Sequence, residues 1–269
     1  MPRITYCERA DRFDADLSAA AAAHDSDHAL IAMLSRPQLD ERERVLIIVA
    51  LSESGTGPDG SAAVRAQFSH AMSELATATK YTRSGWRDNA CAAVIALARR
   101  DGAASTDVYL AAIASTNPTV RGYGLDALAA EGDHHGWDTM VTFISDILSR
   151  KTISASRWQE LIKAVEYLAR HADHGSARAD QLITLLRAHW DKLARPPQIK
   201  TKMGHPAYWH TEPATRLEEL WPGLQPDGPP AGAIDLPRLH TPAAWWSPRN
   251  QPPPGPTGPQ HGPGRPPGQ

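Results

Sequence analysis

Two turns of the sequence, "EGDHHG" at 131–136 and "ARHADHG" at 169–175, each combine histidine with aspartate. Imidazole and carboxylate groups together suit zinc. However, a histidine after a helix also favours the carbonyl end of the helix dipole, and no ligand spacing of a rigid metal site links the two turns. The sequence therefore predicts no metal and no other cofactor. Metal binding remains open as the alternative for His134, His135, His171 and His174.

Three arginines recur at a nearly fixed interval and could bind an acidic partner. Arg87, Arg121 and Arg157 lie 34 and then 36 residues apart, each near the start of a helical segment. A guanidinium binds carboxylate or phosphate well, so these arginines could contact an acidic protein or a nucleic-acid backbone. The alternative is that each pairs with an acidic residue of a neighbouring helix, because a half-buried guanidinium needs a partner. We favour this bracing role and keep partner binding as a hypothesis for all three.

The elements that must position these residues are helices. Apolar residues recur at three- and four-residue spacing nearly throughout the chain before Pro196, and no alternating run of strand length occurs there. The clearest stripes lie at 137–148, 158–169 and 179–193. Short polar turns between the segments make sequential helices antiparallel neighbours. The sequence therefore predicts an all-α chain of about ten helices.

The stretch "NPTVRGYGLDALAAEGD" has the signals of one complete helix. Asn117 can cap its first turn, Pro118 suits the first helical position, and Gly132 supplies a stop. Gly124 lies on the apolar stripe, although a glycine inside a helix costs about 1 kcal/mol. We therefore expect another backbone to come close to Gly124. Gly122 lies off the stripe and has no such reason.

This stretch resembles the second helix of a repeat in the HEAT and armadillo-type α-solenoids. It has a polar residue and proline before the helix, Val-Arg at its start, small residues at its centre, then Leu-Ala and an acidic glycine turn. Segments that begin at Trp86 and Ser156 align with it through an arginine and a Leu-Ala pair. The resemblance implies a right-handed α-solenoid of about four antiparallel helix pairs over residues 1–195, with a helix at 175–193 as its cap.

Composition changes sharply near Pro196. Of 23 prolines, 19 lie from Pro196 to the end, and the last twenty residues are almost entirely Pro, Gly, Gln and Arg. The pattern predicts a partly ordered Pro- and Trp-containing extension over 196–249 and a disordered tail over 250–269. Aromatic residues are rare in disordered chains. Trp221, Trp245 and Trp246 are therefore predicted either to bind a partner or to fold back onto the helices.

Bulk properties limit the class of protein further. A formal net charge of −2 over 269 residues gives no bias toward nucleic acid. Cys7 and Cys91 are far apart and lack metal-type spacing, which indicates free thiols and a reducing compartment. The N-terminus lacks the apolar segment of a secretory signal, and the longest apolar run, "VLIIVAL", is too short to span a membrane. We therefore expect a cytoplasmic monomer without membrane contact.

Repeat architecture without a catalytic motif predicts a non-enzymatic scaffold or adaptor that presents a curved helical surface to another protein. The alternative is a nucleic-acid enzyme, because some alkylpurine DNA glycosylases built on HEAT-like repeats hold the altered base between aromatics and an aspartate. The residues to compare with such a site are Trp137, Asp138, Trp190 and Asp191. Residues 1–195 carry 22 basic against 25 acidic residues, whereas a duplex binder needs a basic face, so nucleic acid is the less favoured partner.

Overall fold

Twelve α-helices make up the part of the chain that the computed structural model describes, residues 6–55, 57–173, 175–194 and 213–226. The helices are α1 (Tyr6–Ala21), α2 (Ser26–Leu34), α3 (Glu41–Ser54), α4 (Pro58–Thr77), α5 (Arg83–Arg100), α6 (Thr106–Ile113), α7 (Pro118–Glu131), α8 (Trp137–Ser149), α9 (Ala155–Arg170), α10 (Ala177–Ala188), α11 (Trp190–Leu193) and α12 (Pro213–Leu220). Short 3-10 turns at Gly102–Ser105 and His134–Gly136 precede α6 and α8. These ranges contain no strand, and the predicted all-α class is confirmed. None of the helices within them is long and apolar enough to cross a membrane.

Side chains at the helix starts explain where several helices begin. At α3, the Asp40 carboxylate accepts a hydrogen bond from the Glu43 backbone N–H at 2.8 Å, and the Glu43 carboxylate accepts one from the Asp40 N–H at 2.9 Å. This reciprocal capping box satisfies two N–H groups that the helix itself leaves unpaired. Ser154 and Ser176 cap α9 and α10 with single hydrogen bonds of the same kind.

Helix α7 begins and ends where its sequence predicts. The Asn117 side-chain oxygen accepts hydrogen bonds from the backbone N–H groups of residues 119 and 120 at 3.0 and 3.3 Å. Pro118 is the first helical residue, where a missing N–H leaves no bond unmade. Gly132 follows the last helical residue in an extended conformation.

Successive helices pack as pairs, and one member of each pair also contacts its counterpart in the next. The pairs are α2 with α3, α4 with α5, α6 with α7, and α8 with α9. Across the pairs, α3 contacts α5, α5 contacts α7, α7 contacts α9, and α9 contacts α12. We call this succession of α3, α5, α7, α9 and α12 the helix row. The order of contacts follows the order of the chain.

One apolar core extends along the helix row, from Phe13 to Leu224. The stripe predicted at 137–148 faces it, since all of its members except half-buried Val141 are buried. The stripe at 158–169 does the same, with half-buried Ile162 as the exception. Amphipathic periodicity therefore predicted which side of α8 and α9 is buried.

The C-terminal end of the core differs from the expected single capping helix at 175–193. The segment divides at His189 into α10 and the short α11. It is α12 that packs against α9, with Leu217, Leu220, Trp221 and Leu224 all buried. The Arg187 guanidinium of α10 donates to the Gly223 carbonyl. The core thus continues past residue 195, the predicted end of the helical domain.

Candidate interaction surface

Helix α7 lies directly against α6 at Gly124. A Cβ atom at that position would lie 2.8 Å from the Ala112 Cβ and 2.9 Å from the Tyr109 carbonyl oxygen. Only glycine lets the two backbones come this close, which confirms the close approach expected at Gly124. At Gly122 a Cβ would meet no atom within 4 Å. One side of α7 is therefore packed tightly, and another side is open.

The open side of α7 adjoins partly exposed residues of the neighbouring helices, since Asp126 pairs with Lys163 of α9 and Tyr123 lies near Asp88 of α5. Gly122 and Asp126 each lie two residues from Gly124, which places them about 160° around the helix from α6. Exposed or half-buried residues recur at helical spacing on the neighbouring α5 and α9 as well. We call this surface the row face. Its residues are Asp88, Ile95 and Arg99 on α5, Gly122, Tyr123 and Asp126 on α7, and Ile162, Lys163 and Arg170 on α9.

Polar contacts join neighbouring helices at the row face. The Lys163 ammonium on α9 lies 2.6 Å from the Asp126 carboxylate on α7, and both side chains are partly exposed. Arg99 of α5 donates to the Ser52 hydroxyl of α3 at 3.2 Å. Arg170 of α9 donates to a backbone carbonyl at the end of α7 at 2.8 Å. One ion pair and two hydrogen bonds thus join adjacent helices at this surface.

Tyr123 of α7 lies near Cys91 and Asp88 of α5. Burial raises the pKa of its phenol, and the nearby Cys91, Asp126 and Asp88 raise it further. Burial also raises the pKa of the Cys91 thiol to about 12. Both groups are therefore neutral near pH 7. Tyr123 therefore gives the row face a neutral aromatic side chain, whereas the protonated Cys91 thiol is buried.

A buried charge cluster braces α7 against α9. The Arg121 Nε donates to Glu160 Oε1 at 2.9 Å, and a second Arg121 nitrogen donates to the Ser115 carbonyl at 3.0 Å. Arg157 donates to the other oxygen of Glu160 at 2.7 Å. The Arg121 and Glu160 side chains are only 9% and 7% exposed. Two of the three arginines noted in the sequence therefore converge on one carboxylate.

Arg87 has a different environment. Its guanidinium lies 2.7 Å from the adjacent Asp88 carboxylate, and both side chains are substantially exposed. The three arginines consequently do not form one surface row. Partner binding by Arg87, Arg121 and Arg157 stays a prediction.

Sequence reasoning missed a second buried charge, Arg100 at the end of α5. Its side chain has no exposed surface, and one nitrogen donates to the Asp27 carboxylate at 2.6 Å and to the Gly57 carbonyl at 2.8 Å. Burial alone would raise the pKa of Asp27, but hydrogen bonds from Arg100 and Ser54 hold it below its usual value. An arginine in the last turn of a helix is common at the surface, so the sequence offered little signal for this network.

The histidine turns form hydrogen bonds and ring contacts. The His135 Nδ1 lies 2.8 Å from the Asp133 carboxylate, and its ring stacks on His134 with centroids 4.3 Å apart. His171 packs against Tyr167 with ring centroids 4.8 Å apart. Within the described ranges no three His, Cys, Asp or Glu side chains are placed to hold a metal ion. The fourth histidine of the sequence pattern, His174, lies outside those ranges.

No family model matches the chain, and neither a curated protein nor a solved structure matches it.

The tryptophans considered for a glycosylase-like site or for partner binding do not lie together among the described residues. Trp137 is buried in the core and Trp190 packs against it half-buried, while the Asp138 carboxylate is exposed and lies 2.8 Å from Arg178. Trp221 is only 1% exposed, within the segment that packs on α9. In that segment the chain folds back onto the helices, one of the two alternatives considered for the C-terminal tryptophans. Trp245 and Trp246 lie outside the described residues.

Proposed function

We propose that this protein is a non-enzymatic scaffold that binds another protein on the row face. The observation that carries the proposal is the succession of five helices in the helix row, each in contact with the next, with the row face accessible along α5, α7 and α9. Stacks in which each helix pair contacts only its neighbours form the extended surfaces that solenoid proteins use for binding.

The same contacts support a right-handed α-solenoid of the HEAT and armadillo type as the architecture. The four helix pairs would be successive repeats, and α10 with α12 would complete the stack in place of a single capping helix. The buried Arg121–Glu160 pair supports this arrangement, because it joins the second helices of adjacent pairs.

The chemistry of the row face favours a protein partner. Ile95, Tyr123 and Ile162 are half-buried apolar or aromatic side chains, and Asp126 and Lys163 neutralise each other beside them. Protein interfaces combine an apolar centre with polar groups in this way. A phosphate backbone, in contrast, needs a surplus of basic groups. A glycosylase-like activity is therefore the less supported alternative.

Gly122 is the best position from which to test binding, because a side chain introduced there meets open space. We expect a photo-cross-linking phenylalanine at position 122 to form covalent adducts with one specific protein in cells. The matched control is the same substitution at Ser145, an exposed residue of α8, which lies outside the helix row. Mass spectrometry of the adducts identifies what was bound.

Three results would contradict the proposal: no adduct from position 122, the same adducts from positions 122 and 145, or adducts to nucleic acid alone. Adducts to nucleic acid alone would favour the alternative, a nucleic-acid enzyme.

We further propose a cytoplasmic monomer, since two cysteines without a pairing pattern suit a reducing compartment. The mass of the purified full-length protein by light scattering tests the monomer directly.

A further inference from the structure

Two large apolar side chains are exposed among the described residues, Val49 and Tyr81. Tyr81 is 90% exposed in the connection between α4 and α5, and Val49 is 39% exposed on α3. A fully exposed tyrosine loses the contact energy that its ring would gain in a binding site. Among the described residues, none buries these two apolar side chains, so they remain exposed to solvent.

Tyr81 lines a cleft of about 450 Å³ where α3 and α5 begin. Val45 of α3 and Gly85 of α5 line the same cleft. Val49 lies four residues after Val45, so it extends the apolar strip by one helical turn along α3. We call this site the Tyr81 cleft. It is a short groove at one end of the helix row, of the size that accommodates one or two side chains of a peptide.

One basic side chain lines the Tyr81 cleft, and two more lie beside Tyr81 in the chain. Arg42 lines the cleft, and the exposed Lys80 and Arg83 flank Tyr81 in the chain. Within the described residues neither Arg42 nor Lys80 forms a hydrogen bond or ion pair, so both charges are free for a partner.

Two carboxylates also line the cleft, but they do not cancel these cations. Asp88 is already paired with Arg87 at 2.7 Å, which leaves the single carboxylate of Glu41. Arg42 in the lining and the neighbouring Lys80 and Arg83 thus outnumber the one unmatched acidic side chain, Glu41. An electrostatic preference for an acidic ligand follows.

We propose that the Tyr81 cleft binds an acidic segment of a partner protein, with an apolar side chain of that segment packed between Tyr81 and Val45. This inference rests on the proposed scaffold function and names the class of partner segment. Charge also argues against the chain's own C-terminus as occupant. Residues 227–269 carry two acidic residues, Asp227 and Asp235, against the three basic residues Arg238, Arg249 and Arg265.

The test is a selection of peptides from a displayed random library on the full-length protein. We expect the enriched peptides to carry a surplus of Asp and Glu around one large apolar residue. The affinity of the most enriched peptide should fall about tenfold or more in Tyr81→Ala and in Lys80→Glu, because an aromatic anchor and a rim charge are both lost. Lys151→Glu changes another exposed lysine, in the connection between α8 and α9, and is the matched control that should leave the affinity unchanged.

The inference is overturned by no enrichment, by enrichment of basic or neutral peptides, or by binding that Tyr81→Ala leaves intact. A synthetic peptide of residues 227–269 that displaces the acidic peptide would identify the chain's own C-terminus as the occupant instead. Failure here is distinct from failure of the scaffold proposal. If position 122 gives adducts but no acidic peptides are enriched, the scaffold proposal stands and the acidic partner segment is rejected. If acidic peptides are enriched but position 122 gives no adducts, binding at the row face is rejected.

Discussion

At the residue scale, the two glycines inside α7 differ in what surrounds them. Gly124 faces the backbone of α6, and Gly122 faces open space. We expect Gly122→Ala to stabilise the protein by about 1 kcal/mol, because alanine is the better helix former. Gly124→Ala should destabilise it by roughly 1–3 kcal/mol through overpacking. Urea unfolding of both variants measures the difference, and equal stabilities would contradict the close packing of α6 on α7.

The buried and exposed arginines form a second matched pair. Arg121→Ala leaves Glu160 with one of its two guanidiniums inside the packed interior, so we expect a loss of about 3–5 kcal/mol of unfolding free energy. Arg87→Ala removes an exposed pair and should cost at most about 1 kcal/mol. Thermal and urea unfolding compare the two. Similar losses in both variants would mean that the Arg121 pair does not brace the helices.

Stability should depend on pH through His171. Burial lowers the pKa of this imidazole, and the adjacent Arg170 lowers it further, whereas a hydrogen bond with the Gly132 backbone and the nearby Asp133 partly offset this. The unfolded chain therefore takes up the proton at a higher pH, near the ordinary histidine value of about 6.5. The contribution of His171 to stability is fully present above that pH and declines as the pH falls through it.

The measurement is urea unfolding between pH 8 and pH 5 for the natural protein and for His171→Phe. One proton gives a slope of at most about 1.4 kcal/mol per pH unit. We expect the unfolding free energy of His171→Phe to fall less steeply as the pH decreases, because the contribution of the His171 proton is absent. An identical pH profile in the two proteins would assign the decline to other groups.

At the scale of elements, local signals predicted helices better than they predicted the ends of the fold. The boundaries of α7 followed from Asn117, Pro118 and Gly132, because capping depends on residues that are close in sequence. The break at His189 was missed, since the apolar stripe continues from α10 through Trp190 and Leu193. Periodicity indicates which side of a segment is buried, and it does not indicate where one helix ends and the next begins.

The packing of α12 on α9 gives a prediction at this scale. Trp221→Ala should cost about 3–5 kcal/mol, as expected for a large side chain removed from a core. Amide hydrogen exchange should also accelerate in α9, the helix that α12 contacts. Trp190→Ala, which removes a half-buried tryptophan, is the comparison variant. Unchanged exchange in α9 would show that residues 213–226 do not cover it in solution.

At the scale of the whole molecule, the sequence predicted helix pairs and favoured a bracing role for the three arginines, but it did not specify their acidic partners. Arg121 and Arg157 share the buried Glu160, whereas Arg87 lies apart beside Asp88. The direction of a side chain depends on how adjacent helices are rotated about their axes, and residue spacing does not specify that rotation. The Tyr81 cleft was missed for the same reason, because it joins residues from two helices and a connection.

The order of contacts in the helix row predicts how stability is distributed. If the helix pairs are repeats, each depends on its neighbours, so helices with neighbours on both sides should open least often. We expect the slowest hydrogen exchange in α5 and α7, and faster exchange in α1 and α2. Uniform exchange rates across all helices would instead indicate one cooperative unit without repeat character.

The attachment of α12 to α9 also has a consequence for the order of synthesis. The apolar surface of α9, which ends at Arg170, receives its cover from residues 213–226, so a ribosome adds 56 more residues before that cover is complete. At about 5–20 residues per second, this leaves the surface uncovered for roughly 3 to 11 seconds. During that interval the nascent chain presents an apolar helix face to chaperones and to neighbouring nascent chains.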